Sequence, residues 1–321
     1  MKIFLVGGTG VIGKRLVPIL ISLGHQVSVL CRSESNIQQV LKMGGIPLMG
    51  DIFNREEMIE ISRGFDMFLH MATAIPVKSP ATYEDWIPTM RLRTEGVSNL
   101  IDASIVNKGK FYLQQSTVFH FGNRNGDWVN EQTHISAPVH GVFPVDSKMQ
   151  EVADNNIEME QLVNTAISNR DLPGSILRFG WFYSNDSSNV KAFFNGNFST
   201  INGGNAFISL IHVDDAVQGI IAAINHFNEC VGKTIHVVDD EPVQWKKLLD
   251  FGSNLSGKKY RNIEIIDPPV SSGAGLNFLV NSVRVSNGLA KQVLHWEPKF
   301  KTYKEGLTYE FQENKNTEIY N

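Results

Sequence analysis

Only two of the 321 residues are cysteine, Cys31 and Cys230, and they lie far apart. That excludes a disulfide framework and a structural zinc site, and it fits a reducing compartment. An excess of positive charge is also missing. There are 29 Lys plus Arg against 33 Asp plus Glu, a net charge of −4 and a pI near 6.1. This disfavours nucleic acid or an anionic membrane as the main partner. The short basic cluster Lys258, Lys259 and Arg261 reads as a solvated loop. No basic segment with a signal-peptide core precedes the apolar run 3–6. Residues 192–211 carry no charge, yet their Asn, Gly, Ser and Thr content keeps them out of a bilayer. Internal repeats, low-complexity tracts, a serine-hydrolase elbow and histidines at metal-ligand spacing are absent, so no metal is expected. The expectation is a soluble, cytoplasmic chain with no nucleic-acid and no membrane partner.

Material for a core is present: 42% of the chain is hydrophobic and 10% aromatic, which rules out wholesale disorder. Short apolar runs alternate with amphipathic stretches, the pattern of βα units and a parallel sheet. Strands are expected at 3–6, 27–31, 46–49, 67–70, 111–115, 175–178 and 234–238. Helices are expected at 11–23, 36–43, 55–63, 83–107, 152–169 and 214–225. Right-handed crossovers make this an α/β fold with a doubly wound Rossmann-type sheet. Residues 179–206 and 241–321 break the pattern and are expected to form a smaller, discontinuous substrate cap. Residues 1–178 plus 207–240 then form the nucleotide-binding domain.

Gly7-Gly8-Thr9-Gly10-Val11-Ile12-Gly13 follows the first strand directly and opens a helix. Gly7 permits the tight turn, Gly10 lets the backbone approach a pyrophosphate, and Gly13 allows close packing of helix on sheet. The helix start adds unpaired N–H groups and a partial positive charge, an anion site in itself. About 20 residues on, where NAD sites place Asp or Glu on the ribose, the second strand ends Cys31-Arg32-Ser33. Arg32 offers a guanidinium for a 2′-phosphate, with Ser33 as a second donor, which favours NADP over NAD. The plain alternative is a surface arginine at a strand end.

With Gly50-Asp51-Ile52 and His70-Met71-Ala72-Thr73-Ala74, this loop resembles the extended or atypical short-chain dehydrogenase/reductases, the NAD-dependent epimerase/dehydratase family. Ser116-Thr117-Val118-Phe119-His120-Phe121-Gly122, the stretch Leu177-Arg178-Phe179-Gly180 and Ile211-His212-Val213-Asp214 continue the likeness over about residues 1–240. The resemblance implies a cofactor-binding set of Gly7, Thr9, Gly10, Val11, Ile12, Gly13, Arg32, Ser33, Asp51, Ile52, Met71, Ala72, Thr73 and Ser116. In it Asp51 meets the adenine edge and Ala72 with Thr73 lines the cofactor. Thr117 takes the position of the catalytic Ser or Thr. His212 and Asp214 fix geometry around the cap, or simply tie loops together.

The departures are informative. The family relays a proton through a Tyr and a Lys four residues later. Anchoring on Glu160-Gln161-Leu162-Val163 puts Val152 and Asn156 at those positions, and no Tyr-x-x-x-Lys occurs between Thr117 and Arg178. Arg93 stands where the family commonly has an active-site Asn, so it is either an anion site or a solvated helix charge. Gln114 and Gln115 need partners if their strand is buried. Three residues remain for chemistry. Thr117 can hydrogen-bond a substrate oxygen. His120 has a pKa suited to proton transfer, and Tyr183 stands where the family places a Tyr beside the cofactor. Each of the last two is equally readable as a packed side chain. Asp146 and Lys148 are expected on a loop roofing the site.

Two classes of function compete. One is an NADPH-dependent reductase of a small carbonyl substrate with a non-standard proton donor. The other is a non-catalytic NADPH-binding redox sensor. A nucleotide-sugar epimerase or dehydratase with relocated acid–base groups is a third reading. A homodimer is left open.

Overall fold

The computed structural model describes residues 1–77, 81–185, 188–266, 268 and 273–319. The strands are β1 (Lys2–Val6), β2 (Gln26–Cys31), β3 (Ile46–Met49), β4 (Met67–His70), β5 (Phe111–Thr117), β6 (Gly174–Phe179) and β7 (Thr234–Val237). They form one parallel sheet in the order β7-β6-β5-β4-β1-β2-β3. Register runs Ile3 beside Val27 on one side and Met67 on the other, and Met67 in turn beside Phe111. The chain leaves β1 at the centre, winds out to β3, returns to β4 and winds out the other way, the doubly wound pattern that the βα alternation implies. Its helices are α1 (Gly13–Ser22), α2 (Glu34–Lys42), α3 (Arg55–Ile61), α4 (Tyr83–Arg91), α5 (Val97–Val106), α6 (Ser147–Asn169) and α7 (Val213–Asn225).

In β1 and β4 every residue but Lys2 is buried, as a sheet covered on both faces requires. Phe4, Phe68, Leu100, Tyr112, Val163 and Ile176 build one buried core. Two helices depart from their expected bounds for local reasons. α6 starts at Ser147 because Asp146 accepts the Met149 N–H at 2.9 Å, an N-cap that places Lys148 in the first helical turn rather than on a loop. The long helix at 83–107 is divided, because Leu92–Gly96 winds as a π-turn between α4 and α5.

By internal packing the chain divides into two compact units. One holds Met1–Ser116, Asp154–Arg178 and Val217–Ile235; the other holds Thr117–Ala153, Phe179–Ala216 and His236–Asn321. The second unit has an aromatic core of its own, including Trp245, Phe193, Tyr183 and Tyr303. In this unit Trp181–Tyr183 pairs in parallel with Leu210–His212, and Trp128–Val129 with Arg284–Val285. Its C-terminal segment is pinned by buried charge. His212 accepts the Asp214 N–H at Nδ1, so Nε2 carries the proton and donates to Glu310 at 2.6 Å. Asp215 accepts the Lys299 and Phe300 N–H groups at 2.8 and 2.9 Å. Among the described residues no helix is long and apolar enough to cross a membrane.

Candidate functional site

In the first unit, the loop between β1 and α1 is the most constrained backbone. Gly7 has φ +94°, and a Cβ there would sit 2.6 Å from both the Ala72 nitrogen and the Met71 carbonyl carbon. A Cβ on Gly8 would strike Val29, and one on Gly13 would strike the Gly8 backbone. The chain's own packing therefore demands those three glycines. Gly10 is different: its Cβ would meet only the Gly7 carbonyl oxygen, at an ordinary 3.4 Å, and the residue is exposed. Nothing in the protein explains why Gly10 lacks a side chain; close approach of a ligand would. Gly10 donates to Gly7 O at 3.1 Å, and in the first turn of α1 the Lys14 N–H donates to Gly10 O and the Arg15 and Leu16 N–H groups to Ile12 O, at 2.9–3.1 Å. Thr9 is half-buried, Val11 exposed and Ile12 buried.

The other expected cofactor contacts lie on neighbouring loops of this unit. Met71 is buried, Ala72 half-buried and Thr73 exposed, directly after β4 and against Gly7. After β3, Asp51 is exposed and accepts the Phe53 N–H at 3.0 Å, while Ile52 is buried. Arg32 is exposed and has no ion-pair partner among the described residues. Ser33 caps α2, its Oγ accepting the Asn36 N–H at 3.3 Å and lying 3.0 Å from the Ser35 hydroxyl. Cys31 is wholly buried, and burial pushes its thiol up, so it is inert.

Beside these loops runs a buried polar network that periodicity does not show. Ser116, at the end of β5, donates to Glu160 Oε1 at 2.5 Å and accepts from Asn156 Nδ2 at 3.2 Å. Arg178 on β6 grips Glu160 with Nε at 2.9 Å and Nη2 at 2.5 Å, and both side chains are under a tenth exposed. The position expected to hold a lysine thus carries an amide that orients Ser116. The signals in the sequence were a lone Arg in an apolar strand and a Glu one turn beyond Asn156 on α6. Gln114 on β5 is used in the same way: Tyr112 Oη donates to its Oε1, and its Nε2 reaches Gln115 O, Met159 Sδ and His70 Nδ1. Gln115, the residue between, leaves its buried Oε1 without a partner.

Gln114 Nε2 lies 3.4 Å from His70 Nδ1, and His70 Nε2 has no partner among the described residues. Burial holds the ring at a pKa of about 4, below its ordinary 6.5. A lowered histidine pKa contributes stability that is complete above pH 6.5 and lost as pH falls toward 4. Between pH 7 and 4.5 the loss from this one residue is about 2–3 kcal/mol. Urea unfolding at the two pH values should show that drop in the wild type, and a drop smaller by that amount in His70→Asn. Equal drops would contradict the assignment.

In the second unit, Thr117 Oγ1 accepts the Phe119 N–H at 3.3 Å, and His120 is buried in the following 3₁₀ turn, stacked on the Phe121 ring. Gly122 closes that turn at φ +66°, against the His140 carbonyl oxygen. Val152 is buried and offers no proton. Tyr183 is 1% exposed, packed on Gly306 and edge-on to His212, and its hydroxyl finds no partner among the described residues. Burial, reinforced by Asp239, Asp215, Glu310 and Glu305, holds that phenol far above the usual range.

A sequence model of the NAD dependent epimerase/dehydratase family matches residues 3–238. The 3-diazoavenalumate denitrifying reductase of a Streptomyces species is 28% identical over 96% of this chain and 99% of its own. The decarboxylating sterol-4-alpha-carboxylate 3-dehydrogenase of Dictyostelium discoideum is 24% identical over 83% of this chain and 80% of its own. Among solved structures, the UDP-glucuronic acid 4-epimerase of Bacillus cereus, bound to UDP-glucuronic acid and NAD, superposes with a TM-score of 0.79. It is 17% identical and covers 99% of this chain and 100% of its own. The dTDP-glucose 4,6-dehydratase of Streptomyces venezuelae, with NAD and TYD bound, gives 0.78 at 16% identity, over 100% and 98% of the two chains. These likenesses below a quarter identity show a shared Rossmann-type fold. The family match over nearly three quarters of the sequence shows more: the chain belongs to the NAD-dependent epimerase/dehydratase family.

Proposed function

We propose that the chain is an NADPH-dependent reductase of a small carbonyl substrate. The observation that carries this reading is Gly10, the one glycine of the loop between β1 and α1 that the protein's own packing does not require. The residues fit a dinucleotide. Gly7, Thr9, Gly10, Val11, Ile12 and Gly13 cradle its pyrophosphate at the start of α1. Arg32, with the Ser33 hydroxyl, takes the 2′-phosphate, in a place where a carboxylate would favour NAD. Asp51 and Ile52 meet the adenine, and Met71, Ala72, Thr73 and Ser116 line the remainder. The bound nicotinamide supplies the hydride.

The chain's own residues handle the substrate oxygen. Thr117 hydrogen-bonds it, and the proton that completes the alcohol comes from His120 or from water. Tyr183 belongs to the core, because a phenol held far above its usual range is a poor acid near neutral pH. The reductase relative aligned over nearly the whole chain supports reduction over epimerisation.

The test is NADPH oxidation in the presence of a panel of small aldehydes and ketones. Turnover is expected, with kcat/KM falling about 100-fold in Thr117→Ala while NADPH affinity holds. If the wild type binds NADPH but reduces nothing in the panel, the protein is instead a non-catalytic NADPH binder, the reading that the missing Tyr and Lys favour.

A further inference from the structure

In the second unit a small cavity opens beside the turn that follows Thr117. Its walls are apolar: Val118, Phe119, Phe207, Ile208, Phe278 and Val283. No lining residue is ionisable. The cavity measures about 40 Å³. One water-sized centre needs roughly 10–15 Å³, so the space suits a group about three heavy atoms across.

The walls are built, not incidental. Phe119 meets Phe278 edge-on at 5.2 Å, and Phe278 packs in turn on Trp245 and Trp181 at 5.7 and 6.0 Å. The rings back one another and fix the shape of the wall. The polar lining groups are committed to backbone. Asn277 Oδ1 accepts the Phe143 N–H at 2.8 Å, and its Nδ2 donates to Phe143 O at 2.9 Å. Asn281 Oδ1 accepts the Val142 N–H and Ser209 Oγ the Val285 N–H, both at 3.1 Å. An occupant therefore meets mainly ring faces and methyl groups. A charged or hydroxyl-rich group would give up its water there without a matching set of partners.

Position identifies the occupant. Thr117 Oγ1 accepts the Phe119 N–H at 3.3 Å, so the hydroxyl assigned to the substrate oxygen is tied to a wall residue. Val118, another wall residue, follows Thr117 directly. Substrate oxygen and cavity share one short stretch of backbone.

We propose that this cavity selects the substrate: an aldehyde or ketone carrying a short, uncharged alkyl group of about three to four carbons, in preference to polyhydroxylated or acidic carbonyl compounds. The proposal rests on the reductase reading for its chemistry. The carbonyl carbon takes the hydride of NADPH and the oxygen takes a proton, leaving NADP⁺ and the alcohol. The cavity holds the alkyl group on the same carbonyl carbon.

The test uses the full-length protein with NADPH and three carbonyl compounds: isovaleraldehyde, glyceraldehyde and glyoxylate. In the wild type, kcat/KM for isovaleraldehyde should exceed that for either of the others at least about 50-fold. Phe278→Leu shortens one wall. It should raise kcat/KM for the bulkier hydrocinnamaldehyde relative to isovaleraldehyde at least about fivefold. That ratio does not depend on how much of the variant folds. A binding measurement separates the pocket from the reaction. Isovaleramide, whose carbonyl is not reduced, should raise the melting temperature of the wild type saturably, and its hydroxylated counterpart glycolamide should not. If the wild type reduces no carbonyl compound yet is stabilised by isovaleramide alone, the reductase reading fails and the pocket stands. Reduction without preference for isovaleraldehyde, or a ratio unchanged in Phe278→Leu, overturns the pocket and leaves the reductase reading in place. Absence of both reduction and isovaleramide binding overturns both.

Discussion

Replacing Arg178 with methionine should destabilise the protein by about 3–5 kcal/mol, because it leaves the Glu160 carboxylate buried with no cation. Glu160 and Arg178 are each under a tenth exposed, and three contacts join them, at 2.5, 2.9 and 3.2 Å. Removing one partner is costly for a different reason than the pair's own strength. Bringing two charges out of water nearly cancels their attraction, so the pair is worth little against an apolar substitute. Glu160→Leu combined with Arg178→Met should therefore be far closer to the wild type than either single change. Asn156→Ala, which removes the amide that donates to Ser116 but leaves the Glu160–Arg178 pair in place, should cost about 1 kcal/mol. Urea unfolding of the four variants checks the set, and additive losses in the double variant would contradict it.

Gly10→Ala should leave stability unchanged and weaken NADPH binding about 100-fold. Its Cβ would find only the Gly7 carbonyl oxygen at 3.4 Å, so the folded chain accepts a methyl there. The loss then comes wholly from the ligand side, where the methyl occupies the space through which the backbone approaches the pyrophosphate. Gly7→Ala is the contrasting control. Its φ of +94° and the Ala72 nitrogen in its way should make it lose stability before binding is even measured. A Gly10→Ala protein that binds NADPH as the wild type does would remove the main support for the cofactor site.

Much of the sheet was legible because its information is local. The runs 3–6, 46–49 and 67–70 are continuous apolar segments between turn residues, and they appear as β1, β3 and β4. The glycine loop was legible from its spacing after β1, although only Gly13, against Gly8, answers to a near neighbour, while Gly7 is held by Met71 and Ala72 on another loop. What was missed depends on partners distant in sequence. The π-turn at Leu92–Gly96 has no compositional mark, and the Ile52 side chain that packs on Gly96 lies on another loop. Glu160 and Arg178 are 18 residues apart, on a helix and a strand. The aromatic stretch 179–206 reads as irregular because its strands are short; Trp181–Tyr183 pairs only with Leu210–His212. Asp146, expected on a loop roofing the site, instead accepts the Met149 N–H, which explains the earlier start of α6.

The proposed dinucleotide site selects the 2′-phosphate through Arg32. Its most direct test is a fluorescence titration of the wild type with NADPH and NADH side by side, repeated on Arg32→Asp. The account predicts NADPH binding at least about tenfold tighter than NADH in the wild type, with the preference abolished or reversed in Arg32→Asp. Equal affinities in the wild type, or no binding of either nucleotide, would contradict it.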